Sequence, residues 1–244
     1  MLKVIDISAY QRGLELSYLV GQIDAVIVKA TEGTSYVNDC CDLWIQKAMK
    51  YQLKRGVYHF LSDGRGVEEA KYFIDNCSNY FFNVNHDVNT SCIPILDWEP
   101  YDASGRYMYS GEVNKAIRYI HDATGIWPWI YANPWRFQDA DEPIEPNCMR
   151  WLAAYPGTVD TFDAAADATA PECDTFAGAW QFTASLKLSG YEGGLDASLY
   201  YGDAASWDRY CIGDNTQSTA PGENPASASV LENDLYKVTI EAKR

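Results

Sequence analysis

Short runs rich in β-branched and aromatic residues recur along the chain and, in its first half, alternate with stretches whose apolar residues repeat at helical spacing. The runs Lys3 to Ile7, Ala25 to Lys29, Gly56 to Phe60, Ile93 to Asp97, Trp129 to Ala132, Trp151 to Ala154, Ala179 to Thr183 and Leu195 to Leu199 predict eight strands. Between the early ones, apolar positions such as Val113, Ile117 and Ile120 predict helices over about Val37 to Gln52, Gly66 to Asn76 and Gly111 to Thr124. Strands that alternate with helices imply a parallel sheet with crossover connections, an α/β architecture. The later runs are joined by Pro-, Gly- and Ala-rich connections with little helical pattern, so the repeat is regular in its first half and irregular in its second. Pro156 to Thr175, rich in Asp and Ala, carries no assignable pattern.

Residues 214–229 are small, polar and proline-containing, with no apolar periodicity, and read as a linker. The main domain is therefore expected to span residues 1–213. Beyond the linker, Tyr236, Val238, Ile240 and Ala242 alternate with Lys237, Thr239, Glu241 and Lys243. That is a half-buried strand pattern with too little chain behind it to build a core. Residues 230–244 thus read as the start of a truncated C-terminal module, or as a docked edge strand or tail.

The chain has 244 residues, 47% apolar and 14% aromatic, enough to bury a large core. Its 34 acidic against 19 basic residues give a net charge of −15, which repels nucleic-acid phosphates and anionic lipid headgroups. Neither nucleic acid nor a membrane is an expected partner. Seven cysteines contain no CxxC pair, and the three histidines are scattered, so buried free thiols are expected rather than a disulfide framework or a structural metal. The first residues enter a strand pattern at once, without a basic, apolar leader, so synthesis and folding in a reducing cytoplasm are expected.

The segment Ile93-Pro94-Ile95-Leu96-Asp97-Trp98-Glu99-Pro100 carries the chemistry. Its apolar run reads as a strand buried on both faces and closed by two acids. Residues two apart in extended chain point to one side at about 6.6–6.8 Å, so Asp97 and Glu99 aim at one space past the strand end. Neighbouring carboxylates do not both ionise freely. One pKa rises, leaving an acid that can protonate a leaving oxygen beside a carboxylate that can stabilise positive charge. Glycoside hydrolysis requires such a pair.

Two further acids sit in strand candidates: Asp6 in the first and Asp196 in the last. Singly, each also reads as a turn or cap residue. In a closed barrel, however, first, middle and last strands would deliver all four acids to one mouth, where barrel active sites are built. Other strand ends carry Lys29, Tyr58 and His59, Tyr131, and Trp180-Gln181. Aromatics with polar tips suit sugar rings, although Trp98, Trp151 and Trp180 read equally well as core. His59 reads as a hydrogen-bonded wall of the site and Glu32 as a surface or turn residue.

The ordered set Asp6-x-Ser8-x-x-Gln11, Lys29-Ala30-Thr31-Glu32-Gly33, Gly56-x-Tyr58-His59-Phe60, Asp97-x-Glu99, Tyr131, Trp151-Leu152-Ala153-x-Tyr155, Trp180-Gln181-Phe182-Thr183 and Asp196 resembles the glycoside hydrolase family 25 lysozymes, and it runs in order from residue 3 to about 210. The resemblance implies an irregular, flattened TIM-like (β/α)5(β)3 barrel and cleavage of the β-1,4 bond between N-acetylmuramic acid and N-acetylglucosamine. It implies Glu99 as general acid, and Asp97 as the carboxylate that orients the substrate's N-acetyl group or stabilises the glycosyl centre. Asp6 and Asp196 enter as supporting acids, with Lys29, Tyr58, Tyr131 and Gln181 near substrate. His59 and Trp180 complete the expected substrate-binding set. Ala184 to Glu192 departs from the family, which usually has a Gly/Pro-bearing turn there.

The expectation is a cofactor- and metal-independent muramidase acting as a monomer on peptidoglycan glycan strands of the cell wall, and the lack of a leader pattern favours the phage endolysin type, released through a holin-type pore, over a secreted autolysin. Two other readings compete. A chitin-type hydrolase also ends its strand in Asp-x-Glu but needs an acid two residues upstream, where Ile95 stands. A non-catalytic peptidoglycan-binding module would use the same cleft as a lectin.

Overall fold

The computed structural model describes residues 1–62, 64–81, 88–175 and 177–212, so the expected linker at 214–229 and the segment 230–244 lie outside the described residues. Eight strands close into a barrel in the order β1 (Leu2–Ile7), β2 (Ala25–Glu32), β4 (Lys54–Phe60), β5 (Ile93–Asp97), β6 (Trp129–Ala132), β7 (Arg150–Ala153), β8 (Ala177–Leu188) and β9 (Tyr191–Tyr200). The two-residue β3 (Tyr36–Val37) pairs with the end of β2. Seven of the barrel strands run parallel, whereas β9 turns back from β8 and pairs antiparallel with both β8 and β1. All eight predicted strands are present.

The crossovers explain the irregularity of the sequence pattern. Helices α1 (Cys41–Lys50), α2 (Gly66–Phe81) and α3 (Ser110–Thr124) are full-length, whereas α4 (Pro134–Gln138) and α5 (Phe162–Asp167) span one or two turns. Helix α5 lies in the stretch that carried no pattern, with Thr161 accepting from the Ala164 N–H as its cap. The β1–β2 connection has only two 3-10 turns. The helix expected from Val37 begins later, because Val37 is in β3. At Gly66, where α2 meets α3, a Cβ would lie 1.9 Å from the Glu112 carbonyl oxygen, so only glycine allows this approach.

Alternation along the strands sorts side chains into two shells. Ile5, Ile7, Val26, Val28, Val57, Leu96, Ile130 and Leu152 face outward to the helices, while Val4, Ala25, Ile27, Ile93, Ile95, Trp129 and Trp151 fill the barrel. Helix α6 (Ala204–Ile212) plugs the floor. There Trp207 packs edge-on to Trp129 at 5.1 Å and donates from Nε1 to the Arg55 carbonyl. The seven cysteines are free; six are buried and Cys173 is half-buried.

The β8–β9 hairpin runs past its barrel neighbours. β7 pairs with β8 only through Gln181, and β1 pairs with β9 only from Asp196 onward. The projecting ribbon accounts for the unusual stretch Ala184 to Glu192. It turns at Gly190, at φ +92°, and is pinned to the β1–β2 crossover by Gln22, whose Nε2 donates to the Ser189 carbonyl and whose Oε1 accepts from the Ser189 N–H. Leu186 and Leu195 join Leu14, Leu16 and Leu19 of the β1–β2 crossover in the outer core.

Candidate active site

At the carboxyl ends of the parallel strands the apolar filling gives way to polar groups. In β5, Ile93, Ile95 and Asp97 share the inward face, and Asp97 lies one step above the apolar layer. The chain past Asp97 is fixed by its carbonyl, which accepts from the Leu61 N–H, and by the Trp98 N–H donating to the Tyr131 carbonyl. Trp98 turns outward into the helical core and donates from Nε1 to the Met108 carbonyl, which leaves Glu99 at the mouth. Asp6 and Asp196 are direct register partners on antiparallel β1 and β9, so their side chains rise from the same face. The cap at the first turn is Ser8 with Gln11, which leaves Asp6 to the barrel.

The four acids share one electrostatic environment. Burial pushes Asp6 and Asp97 well above the ordinary carboxylate range, with Asp196 acting further on Asp6 and Glu99 on Asp97. Glu99 is raised first by burial and then by Asp196, against the opposing Lys29 charge. Asp196 is raised by burial. Carboxyls packed this closely do not all ionise at neutral pH, and a retained proton is what a general acid needs. Asp97 Oδ1 is buried without a hydrogen-bond partner among the described residues, an open acceptor in the wall of the site.

Lys29 faces the same space and pairs with Glu32 at 2.6 Å, with its ammonium 4.9 Å from the centre of the Phe60 ring. A register shift in β2 between Lys29 and Thr31 brings Glu32 to Lys29. A simple alternation gives no sign of it, which is why Glu32 reads as a surface residue from sequence. Gln181 is the hub of the opposite wall: Nε2 donates to Asp6 Oδ2 at 2.7 Å, and Oε1 accepts from the Tyr131 hydroxyl at 2.6 Å and from the Tyr155 hydroxyl. Tyr155 was legible in the sequence only as part of the Trp151 motif. Tyr58 also borders the acids: burial and then Asp97, Asp6, Asp196 and Glu99 raise its phenol.

Two expected substrate-binding residues are elsewhere. His59 is 0% exposed and faces the helical layer, with Nδ1 at 2.8 Å from Thr31 Oγ1 and Nε2 at 3.2 Å from Glu69 Oε2. It neighbours Tyr58 in β4, and adjacent strand residues point to opposite faces. Trp180, 2% exposed, is likewise one residue out of phase with Gln181; its ring packs on Phe182, and Nε1 donates to the Ala154 carbonyl. Trp98 is core, and Trp151 fills the barrel beside its register partner Tyr131, at 4.6 Å between ring centres.

A closed α/β barrel whose mouth holds an Asp-x-Glu strand end and two supporting acids, all four raised by burial, matches the carboxyl chemistry of a glycoside hydrolase. The chain belongs to glycosyl hydrolases family 25, whose model matches residues 5–191. It is similar to Lysozyme M1 of Streptomyces globisporus, with 24% identity covering 82% of this chain and 68% of that protein. It is also similar to the autolytic lysozyme of Clostridium acetobutylicum, with 23% identity covering 80% of this chain and 54% of that protein, so it spans about half that relative's length. In fold it resembles the solved structure of a family 25 glycosyl hydrolase from Bacillus anthracis, with a TM-score of 0.70, 24% identity, and coverage of 87% of this chain and 94% of the other.

Proposed function

We propose that this protein is a muramidase that hydrolyses the β-1,4 bond between N-acetylmuramic acid and N-acetylglucosamine in bacterial peptidoglycan. Glu99 gives its proton to the glycosidic oxygen as the bond to the anomeric carbon breaks. The observation that carries the reading is Asp97 Oδ1, a buried acceptor without a donor among the described residues, beside the raised Glu99. The acetamido N–H of the sugar at the reacting centre is a donor of the right kind. Held so, the acetamide carbonyl can approach the anomeric carbon, and the positive charge that develops there faces Asp97, Asp6 and Asp196. Lys29, Tyr58, Tyr131 and Gln181 shape the wall around that sugar.

Glu99→Gln tests the assignment. Reducing ends released from purified peptidoglycan should fall about 10²–10⁴-fold in kcat with the fold intact. Undiminished release by Glu99→Gln would overturn the role given to Glu99. Release from chitin but not from peptidoglycan would move the substrate to the chitin class, against which Ile95 stands, since it is buried in the barrel where that class needs an acid.

A further inference from the structure

On one flank of the mouth, aromatic and cationic side chains form a ladder that begins between the two central acids and ends in solvent. Trp98 is its inner rung, fully buried between Asp97 and Glu99 in sequence. The Arg136 guanidinium lies 4.4 Å from the Trp98 ring centre and 4.8 Å from that of Tyr107. Tyr107 in turn meets Trp135 edge-on, at 5.6 Å and 83°. Trp135 is 44% exposed, although Phe137 on the same short helix is buried. The edge contact with Tyr107 therefore leaves part of a large apolar ring facing water, at the end of the ladder that starts beside Glu99.

The position of that face relative to the acids gives it a role. Tyr107 lies in the connection that follows β5 and Trp135 in α4 directly after β6, at the carboxyl ends of two neighbouring strands, whereas Asp6 and Asp196 rise from β1 and β9 across the barrel. The ladder therefore stands on the Glu99 side of the mouth, across the barrel from Asp6 and Asp196. A proton donor lies beside the oxygen that joins two sugars, so if the three aspartates line the sugar whose anomeric carbon reacts, the sugar beyond Glu99 is the departing one.

We infer that Trp135 and Tyr107 form a shelf for the leaving-group sugar, an N-acetylhexosamine ring stacked by its apolar face on Trp135, with Arg136 as the spacer that fixes the shelf to Trp98. The inference rests on Glu99 being the proton donor. A sugar ring has an apolar face and a hydroxyl rim, which matches an indole held with one face free. The contact lies away from the reacting bond, so it acts on substrate binding more than on the chemical step.

The test uses the full chain with Trp135→Phe, Trp135→Leu and Trp135→Ala, assayed for KM and kcat on soluble peptidoglycan glycan strands, with melting temperatures measured alongside. The expected result is a KM raised about tenfold by Ala and Leu and much less by Phe, with kcat changed little. Leu keeps apolar bulk without a π face and guards against misreading a folding defect. A common KM across all four proteins overturns the shelf, as does a loss confined to kcat. If the Trp135 variants share one KM while Glu99→Gln is inactive, the shelf alone fails. If Glu99→Gln turns over like the parent, the assignment beneath it fails.

Discussion

Gln181 donates to Asp6 across 2.7 Å, and because its carbonyl oxygen is taken by two tyrosine hydroxyls, its amide has only one orientation available. The acid on the first strand is therefore oriented by a residue 175 positions away, on β8. Gln181→Leu leaves Asp6 Oδ2 and the Tyr131 hydroxyl without these partners in a buried setting. Stability should fall by about 2–4 kcal/mol by chemical denaturation. Tyr155→Phe should cost only about 0.5–1.5 kcal/mol, since Tyr131 still donates to the same oxygen.

Asp6 carries a second expectation, in pH. Its pKa in the folded protein is raised well above the ordinary aspartate value of 3.8, chiefly by burial and then by Asp196. The folded protein thus binds this proton more tightly than the unfolded chain does, and stability falls as pH rises from the ordinary carboxylate range toward the raised value. Asp6→Asn keeps an acceptor for Gln181 and removes the charge. It should stabilise the protein near pH 8 by roughly 1 kcal/mol, about 2–4 °C in melting temperature. The gain should vanish near pH 3 while turnover falls at every pH. A gain of the same size at both pH values would contradict the burial of this charge.

Lys29 opposes the rise of both Glu99 and Asp97. Lys29→Met removes the cation that opposes the rise of Glu99, so Glu99 becomes harder to ionise. The alkaline limb of the kcat/KM profile, where the general acid loses its proton, should move to higher pH. A limb that stays in place would mean that a group other than Glu99 sets it.

His59 separates structure from catalysis. Burial, opposed by Glu69, lowers its pKa from the ordinary histidine value of 6.5, so the folded protein holds it neutral. Below about pH 6.5 the unfolded chain gains the proton more readily, and this part of the stability is lost as pH falls. His59→Phe removes the partner of Thr31 Oγ1 and should cost about 1–3 kcal/mol in unfolding experiments, with kcat changed less than about twofold. A large drop in kcat with an unchanged melting temperature would place His59 back in the site.

Much of this was legible because it rests on local rules. Eight apolar runs gave eight strands, and acids at strand ends gave a mouth that collects them. What stayed hidden was set by phase and by distance along the chain. Tyr58 and His59 are neighbours in sequence yet enter different shells, as do Trp180 and Gln181, and a motif treats such pairs as one unit. Glu32 reaches Lys29 through a register shift in β2. The ladder from Trp98 to Trp135 joins the β5–α3 connection to α4, with no shared periodicity to announce it. The β8–β9 ribbon has the alternation of a strand, and nothing in that pattern shows that it runs past its barrel neighbours.

The return of β9 alongside β1 also separates the two ends of the barrel. Leu2 pairs with Tyr200 at the end of the barrel opposite the acids, and α6 closes that same end through Trp207. Ile212, the last described residue, belongs to that helix. One end of the barrel is thus given over to packing and the other to chemistry.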